Sequence, residues 1–224
     1  AQRGCHGALL LGTTGEGPSF AHSERVELMR AALQVRQEHP DFRLLAGTGT
    51  PSLEETIANT RAAFELGMDG VVVLPPYYFR KASDAGLFAW FSRLLQCAVP
   101  ERGALFGYHI PGVSGVALSL DLISQLKDAF PNRFIGIKDS SGSLEHAQAL
   151  GARFGTELVV LNGNDKLLSA SLQAGGSGCI TAQASLCSPY LRRVWEAHQR
   201  GESDPGDQAI LDAVYRLAQV ELGM

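Results

Sequence analysis

The sequence has no CxxC pair and no HExxH, and its four cysteines (Cys5, Cys97, Cys179 and Cys187) and six histidines are dispersed. Zinc-finger and zinc-protease patterns are therefore absent, and no metal is expected. Thiols used this way read as the reduced cysteines of a cytoplasmic protein. Basic residues are scattered rather than clustered with aromatics, and the net charge is −4. That balance fits neither nucleic acid nor an anionic membrane surface. The longest apolar runs, such as GVVVLPP (70–76), fall far short of the roughly 20 residues needed to span a bilayer. The amino terminus carries no charged-then-apolar signal segment, so a cytoplasmic location is the expectation. No GxGxxG follows the first apolar run, and the glycine-rich GTTGEGP (12–18) lacks the GK[ST] ending of a phosphate loop.

What is present is 224 residues, 45% hydrophobic and 19% charged, enough for one globular domain with a substantial core. Seven short apolar runs read as strands: 7–12, 43–47, 70–75, 104–108, 134–138, 158–163 and 178–181. Helical patterns lie between them. SERVELMRAALQVRQEH (23–39) puts Val26, Met29 and Leu33 on one face. SLEETIANTRAAFELG (52–67) opens on Ser52 with Glu55 three residues on, a capping-box spacing, and closes on Gly67. SLDLISQLKDAF (119–130) stops before Pro131. Strands alternating with helices imply parallel βαβ units, and continuously apolar runs imply a sheet covered on both faces. The regular units favour a closed (β/α)8 barrel over an open doubly wound sheet. Seven strands fall one short of that barrel, so a missing first βα unit is the simplest reading. Two helical stretches, 188–202 and 204–222, follow the last strand. The expected organisation is a partial barrel over 1–184 and a carboxy-terminal helical region, itself cut short, over 185–224.

Polar residues follow the apolar runs: Thr13 and Thr14, Thr48 and Thr50, Tyr77 and Tyr78, Tyr108, Lys138, Asn162 and Gly163, and Thr181. In a parallel barrel all these strand ends share one rim, where active sites are built. FIGIKDSSG (134–142) is the sharpest case, because Lys138 ends an otherwise buried strand. Lysine is strongly hydrated and mostly a surface residue. At a barrel mouth, burial disfavours the ammonium form, and only the neutral amine attacks a carbonyl. Asp139 is next in sequence, but strand alternation points it away from Lys138. Tyr108, on the preceding strand, is placed to shuttle protons. The hydroxyls and backbone N–H groups of 12–18 suit a small carboxylate, whereas GTGTPS (47–52) reads as structural.

GTTGEG, PPYY, GYHIPGVSG, GIKDSSG and GGSGCIT stand in the order and spacing of the pyruvate-dependent class I aldolases. The sequence resembles that superfamily, which includes N-acetylneuraminate lyase and dihydrodipicolinate synthase, over nearly its whole length. The resemblance implies a (β/α)8 barrel with a carboxy-terminal helical region, lacking here the first βα unit and the last helices. It implies that Lys138 forms a Schiff base with the keto carbon of pyruvate and that Tyr108 is the acid/base. Thr13 would link Tyr108 to Tyr78 in a hydroxyl relay, with Tyr78 reaching into a neighbouring subunit and Tyr77 packing at that interface. Thr14 and loop N–H groups would hold the pyruvate carboxylate, and Gly163 and Ile180 would line the pocket floor. A homotetramer built as a dimer of dimers, and no cofactor, are implied as well.

Two departures bear on the substrate. Dihydrodipicolinate synthases usually carry an arginine five residues after the tyrosine, to bind the carboxylate of aspartate semialdehyde. Val113 stands there and cannot make that bidentate contact. Sialic acid lyases tend to have an Asp-Glu pair where this chain has Asp165 and Lys166. The expectation is reversible cleavage of another 2-oxo acid, such as a 2-keto-3-deoxy sugar acid, to pyruvate and an aldehyde. Ser140, Ser141, Asn164 and Thr181 are candidates to hold the hydroxyls of such an aldehyde. The alternatives are the synthase reaction with aspartate semialdehyde and a catalytically silent barrel that binds small acids.

Overall fold

The computed structural model describes residues 1–202 and 206–221. Asp204, Pro205 and Leu222, at the outer ends of the second carboxy-terminal stretch, lie outside the described residues. The chain divides into two compact units, one of residues 6–137 and one of 1–5 with the described residues from 138 onward.

The first unit is a run of strands alternating with helices: β1 (Gly7–Leu10), α1 (His22–Ala32), β2 (Arg43–Gly47), α2 (Leu53–Leu66), β3 (Gly70–Val73), α3 (Asp84–Ala98) and β4 (Leu105–His109). A short α4 (Pro111–Ser114), α5 (Leu120–Ala129) and the start of β5 (Phe134–Asp139) complete it. β1 to β4 pair in parallel and in chain order, with Ala8 beside Leu44, Leu45 beside Gly70 and Val71 beside Leu105. Parallel neighbours need crossover connections, and the helices supply them. All four residues of β3 are buried, which is why that run is apolar at every position rather than at alternate ones.

Helix boundaries follow side-chain chemistry. Ser52 accepts from the Glu55 N–H at 3.3 Å, and Gly67 closes α2 with φ 92, a left-handed conformation that glycine adopts without a Cβ penalty. Ser83 and Ser119 cap α3 and α5 in the same way. No helix was expected over 84–98, although Ser83 followed by Asp84 is a helix start signal. The helix expected over 23–39 instead gives way to a 3-10 turn from Leu33 to Gln37. Met29 is buried as expected, but the most deeply covered polar residue of α1 is Arg25.

The second unit continues from Lys138 with α6 (Leu144–Phe154), β6 (Val159–Asn162), α7 (Leu168–Gln173), β7 (Gly178–Cys179), α8 (Ala184–Gln199) and α9 (Asp207–Glu221). β6 and β7 are parallel, with Asn162 beside Cys179. β7 is only two residues long, shorter than the run 178–181 suggested. α8 kinks at Cys187, two residues before Pro189, whose ring cannot continue the hydrogen-bond ladder. Leu168, Leu172, Cys187, Leu191, Val194 and Leu211 form one buried cluster that joins α7, α8 and α9. Arg193 donates to both oxygens of Asp207, at 2.8 and 2.7 Å, and so fastens α8 to the start of α9. No helix among the described residues is long and apolar enough to cross a membrane.

Candidate active site

In the first unit, β1 ends where Leu11 turns into a left-handed conformation with φ 57. That turn carries the chain into Gly12, Thr13 and Thr14. Thr13 lies with its Oγ1 3.2 Å from the phenol oxygen of Tyr108, which is 4% exposed at the end of β4. Thr14 is exposed on the same loop. Leu11, Thr13, Gly47, Gly49, Val72 and Tyr108 line a small pocket over these strand ends. The loop expected to be structural, 47–52, is braced by buried hydroxyls. Thr48 bonds Thr60 at 2.9 Å, the Thr50 N–H donates to the Thr56 hydroxyl at 3.0 Å, and Asn59 donates to the Thr48 carbonyl at 3.4 Å. Tyr78 is 74% exposed and stacks edge-on against the equally exposed Phe79. Tyr77 is half-buried, and burial pushes its phenol above the ordinary value, partly offset by the nearby Arg25 charge.

In the second unit, Lys138 is 7% exposed and Asp139 is also buried. The Asp139 carboxylate is turned to its own loop, where it accepts from the Ser141 N–H at 3.0 Å. β5 and β6 meet tightly. The Gly163 N–H donates to the Asp139 carbonyl at 2.6 Å, and the Ile180 N–H donates to the Asn162 carbonyl at 2.9 Å. Lys138, Gly163 and Ile180 thus stand on successive strand ends of one unit. Asp165 is almost wholly buried; its Oδ1 accepts from the Thr181 hydroxyl at 2.6 Å, and its Oδ2 has no partner among the described residues. Burial pushes this carboxyl above its ordinary value, and the Thr181 bond only partly offsets the rise. From α9, Gln208 donates to the Asp165 carbonyl at 2.9 Å and accepts from the Ser169 N–H at 3.0 Å, fixing the turn behind Asp165. Burial also pushes the Cys179 thiol up to about 12 and the Cys187 thiol up to about 11. Neither is a nucleophile at neutral pH.

The profile of the dihydrodipicolinate synthetase family matches residues 1–220. The chain belongs to that family. A DapA-like lyase of Chloroflexus aurantiacus, itself uncharacterized, is 38% identical over 214 residues, covering 96% of this chain and 70% of that protein. The 4-hydroxy-tetrahydrodipicolinate synthase of Listeria monocytogenes is 34% identical over 204 residues, 90% of this chain and 66% of the synthase. The chain therefore spans about two thirds of the synthases it matches. A prophage protein of E. coli K12 from the same family, solved in complex with pyruvate, superposes with a TM-score of 0.89 at 28% identity, over 99% of this chain and 74% of that one. The synthase of Methylacidiphilum fumariolicum gives 0.87 at 28% identity, over 96% and 70%. The fold is accordingly α/β and TIM-barrel-like, as the regular alternation of strands and helices and the resemblance led us to expect.

In this member of the dihydrodipicolinate synthetase family, Gly163 is required by sterics. A Cβ built there would sit 1.9 Å from the Ser140 Oγ and 3.0 Å from the Asp139 carbonyl oxygen. Gly163→Ala is expected to lower stability by about 1–3 kcal/mol, the usual cost of overpacking. Urea denaturation measures it. Ser140→Gly in the same molecule should return most of the loss, because the closest atom is the serine hydroxyl. Failure of that rescue would place the strain in the backbone instead.

Asp165 gives a pH-dependent prediction. Its carboxyl is raised in the folded state, so the stability drawn from its protonated form is present below the unfolded value and is lost as pH rises through the folded one. Asp165→Asn stays neutral throughout. Its stability relative to the parent should rise as pH climbs from about 4, where an unfolded carboxyl titrates, to neutrality. A difference that is flat with pH, in paired denaturation curves, would mean that Asp165 is ionised in the fold.

Proposed function

We propose that this chain carries the machinery of a pyruvate-dependent class I aldolase acting on a 2-keto-3-deoxy sugar acid. The observation that carries the reading is Lys138, a buried amine at the end of β5, in a chain that superposes almost entirely on a relative solved with pyruvate. Neutral Lys138 attacks the C2 carbonyl of the 2-oxo acid. Water leaves and an imine forms. The C3–C4 bond then breaks as its electron pair flows into the imine, leaving the enamine of pyruvate, while the C4 hydroxyl gives up its proton and departs as the aldehyde. The enamine is protonated at C3, and water hydrolyses the imine to release pyruvate and regenerate Lys138. The imine nitrogen takes up the electron pair of the breaking C3–C4 bond and gives it back to C3 when the enamine is protonated, so the sequence requires no metal or organic cofactor.

Tyr108 moves the protons, with Thr13 and a partner subunit's copy of Tyr78 completing the relay. The Thr13–Tyr108 distance of 3.2 Å supports the first link. The exposure of Tyr78 and Phe79 supports a homo-oligomer in which this loop is covered; the family resemblance suggests a tetramer. Thr14 and loop N–H groups hold the pyruvate carboxylate, and Gly163 and Ile180 form the floor beneath it.

The second reading is the synthase reaction, favoured by the names of relatives such as the Listeria enzyme. Val113 weighs against it. The residue is 61% exposed and offers no cation to a second carboxylate. Kinetic comparison of the two substrates separates the readings. Release of pyruvate from 2-keto-3-deoxygluconate should exceed condensation of pyruvate with aspartate semialdehyde in kcat/KM, and a faster condensation would overturn the assignment. Val113→Arg should shift the ratio toward aspartate semialdehyde.

A further inference from the structure

Arg25 is 2% exposed on α1, and among the described residues its hydrogen bonds all go to backbone carbonyls. Nε donates to Phe20 at 3.0 Å, Nη1 to Gly47 at 3.2 Å and Nη2 to Gly17 at 2.5 Å. A buried guanidinium remains charged and needs partners for its rigid fork of donors. Here the fork joins the loop after β1, through Phe20 and Gly17, to the last residue of β2, through Gly47.

Between those anchors lies a narrow slot. A Cβ on Gly17 would come 2.0 Å from the Leu11 carbonyl oxygen, and a Cβ on Gly47 would come 2.2 Å from the same atom. The Leu11 carbonyl is therefore seated between two bare glycines, both of which Arg25 holds by their own carbonyls. Leu11 is a branched residue with φ 57, a conformation that persists only when its surroundings impose it. The turn sets the direction of Gly12 and Thr13, and the Gly17 N–H donating to the Gly12 carbonyl at 3.1 Å closes the loop.

We propose that Arg25 is a positioning residue: by clamping Gly17 and Gly47 about the Leu11 carbonyl, it holds the strained turn that places the Thr13 hydroxyl against Tyr108. It touches neither substrate nor reacting atoms and acts through the loop. The catalytic part of this inference rests on the proposed aldolase reading, whereas the geometric part does not.

The full-length protein with Arg25→Lys keeps the charge but loses the fork, and Arg25→Gln keeps part of the hydrogen bonding without the charge. Two readouts apply. The first is a double-mutant cycle on stability, with Thr13→Val and Tyr108→Phe made singly and together in the parent and in the Arg25→Lys background. We expect coupling between the two hydroxyls in the parent and its loss in the Arg25→Lys background. The second is exchange of the pyruvate methyl hydrogens for deuterium, which reports enamine formation. We expect at least a tenfold lower turnover in Arg25→Lys, less than a threefold change in KM for pyruvate, and little further loss when Thr13→Val is added. Intact coupling or unchanged exchange in a folded variant would overturn the proposal. Failure of both variants to melt cooperatively would also overturn it, making Arg25 a residue of the fold rather than of the site. If the parent exchanges no deuterium, the aldolase reading fails, and the stability cycle still decides the clamp.

Discussion

Lys138→Arg is expected to abolish borohydride trapping of pyruvate and to lower aldol cleavage by at least about a thousandfold, the scale on which loss of a covalent nucleophile is felt. Arginine places a fixed positive charge at this buried strand end. Its delocalised guanidinium, however, does not deliver a neutral amine. If the role of Lys138 were only to attract the substrate carboxylate, Lys138→Arg would keep most of the activity. Lys138→Met controls for packing, because its unbranched side chain fills a similar volume without charge. Peptide mapping by mass after reduction is the decisive measurement. A pyruvyl adduct on Lys138 in the parent, absent from both variants, fulfils the expectation. An adduct on another lysine, or full turnover in Lys138→Met, would remove this residue from the chemistry.

Tyr108→Phe should lower kcat by about a hundredfold to ten-thousandfold, the range for loss of a positioned general acid or base. Its effect on KM for pyruvate should be small by comparison, since the phenol works on protons in flight rather than on ground-state binding. The ring is buried at the end of β4 and stays in the variant, so the fold should lose only about 0.5–1.5 kcal/mol, the net worth of one hydrogen bond. Thr13→Val removes the other end of the same 3.2 Å contact and should give a smaller kcat defect. A Tyr108→Phe enzyme with parental kcat would make the tyrosine a packing residue. A KM defect without a kcat defect would move it from proton transfer to binding.

Much of this was legible from one dimension of information. The run 43–47 is β2 to the residue, and the run 134–138 differs from β5 by one position. Both have apolar interiors, and their ends are marked by charged residues or glycine: Arg43 and Gly47 in β2, Lys138 and Asp139 in β5. Ser52, Glu55 and Gly67 announced both ends of α2 because capping is local hydrogen-bond chemistry. Lys138 and Tyr108 were visible as polar residues ending apolar runs. Helix α6 was not among the expected helices, although Ser143 caps it and Ala147, Leu150 and Phe154 are buried at helical spacing.

The sequence by itself determined the alternation of strands and helices, their capping and the identity of the polar groups at the strand ends, because each depends on residues within a turn or two of one another. Only the tertiary structure decided the rest. Arg25 looks like any helix arginine until Phe20, Gly17 and Gly47 are brought around it. Gly163 looks like a turn glycine until Ser140 is pressed against it. Asp165 is one acid among many in the sequence until the burial around it raises its carboxyl above the ordinary range, a rise that the Thr181 bond only partly offsets. Desolvation and close approach depend on atoms far apart in the chain, and no local pattern of residue types encodes them.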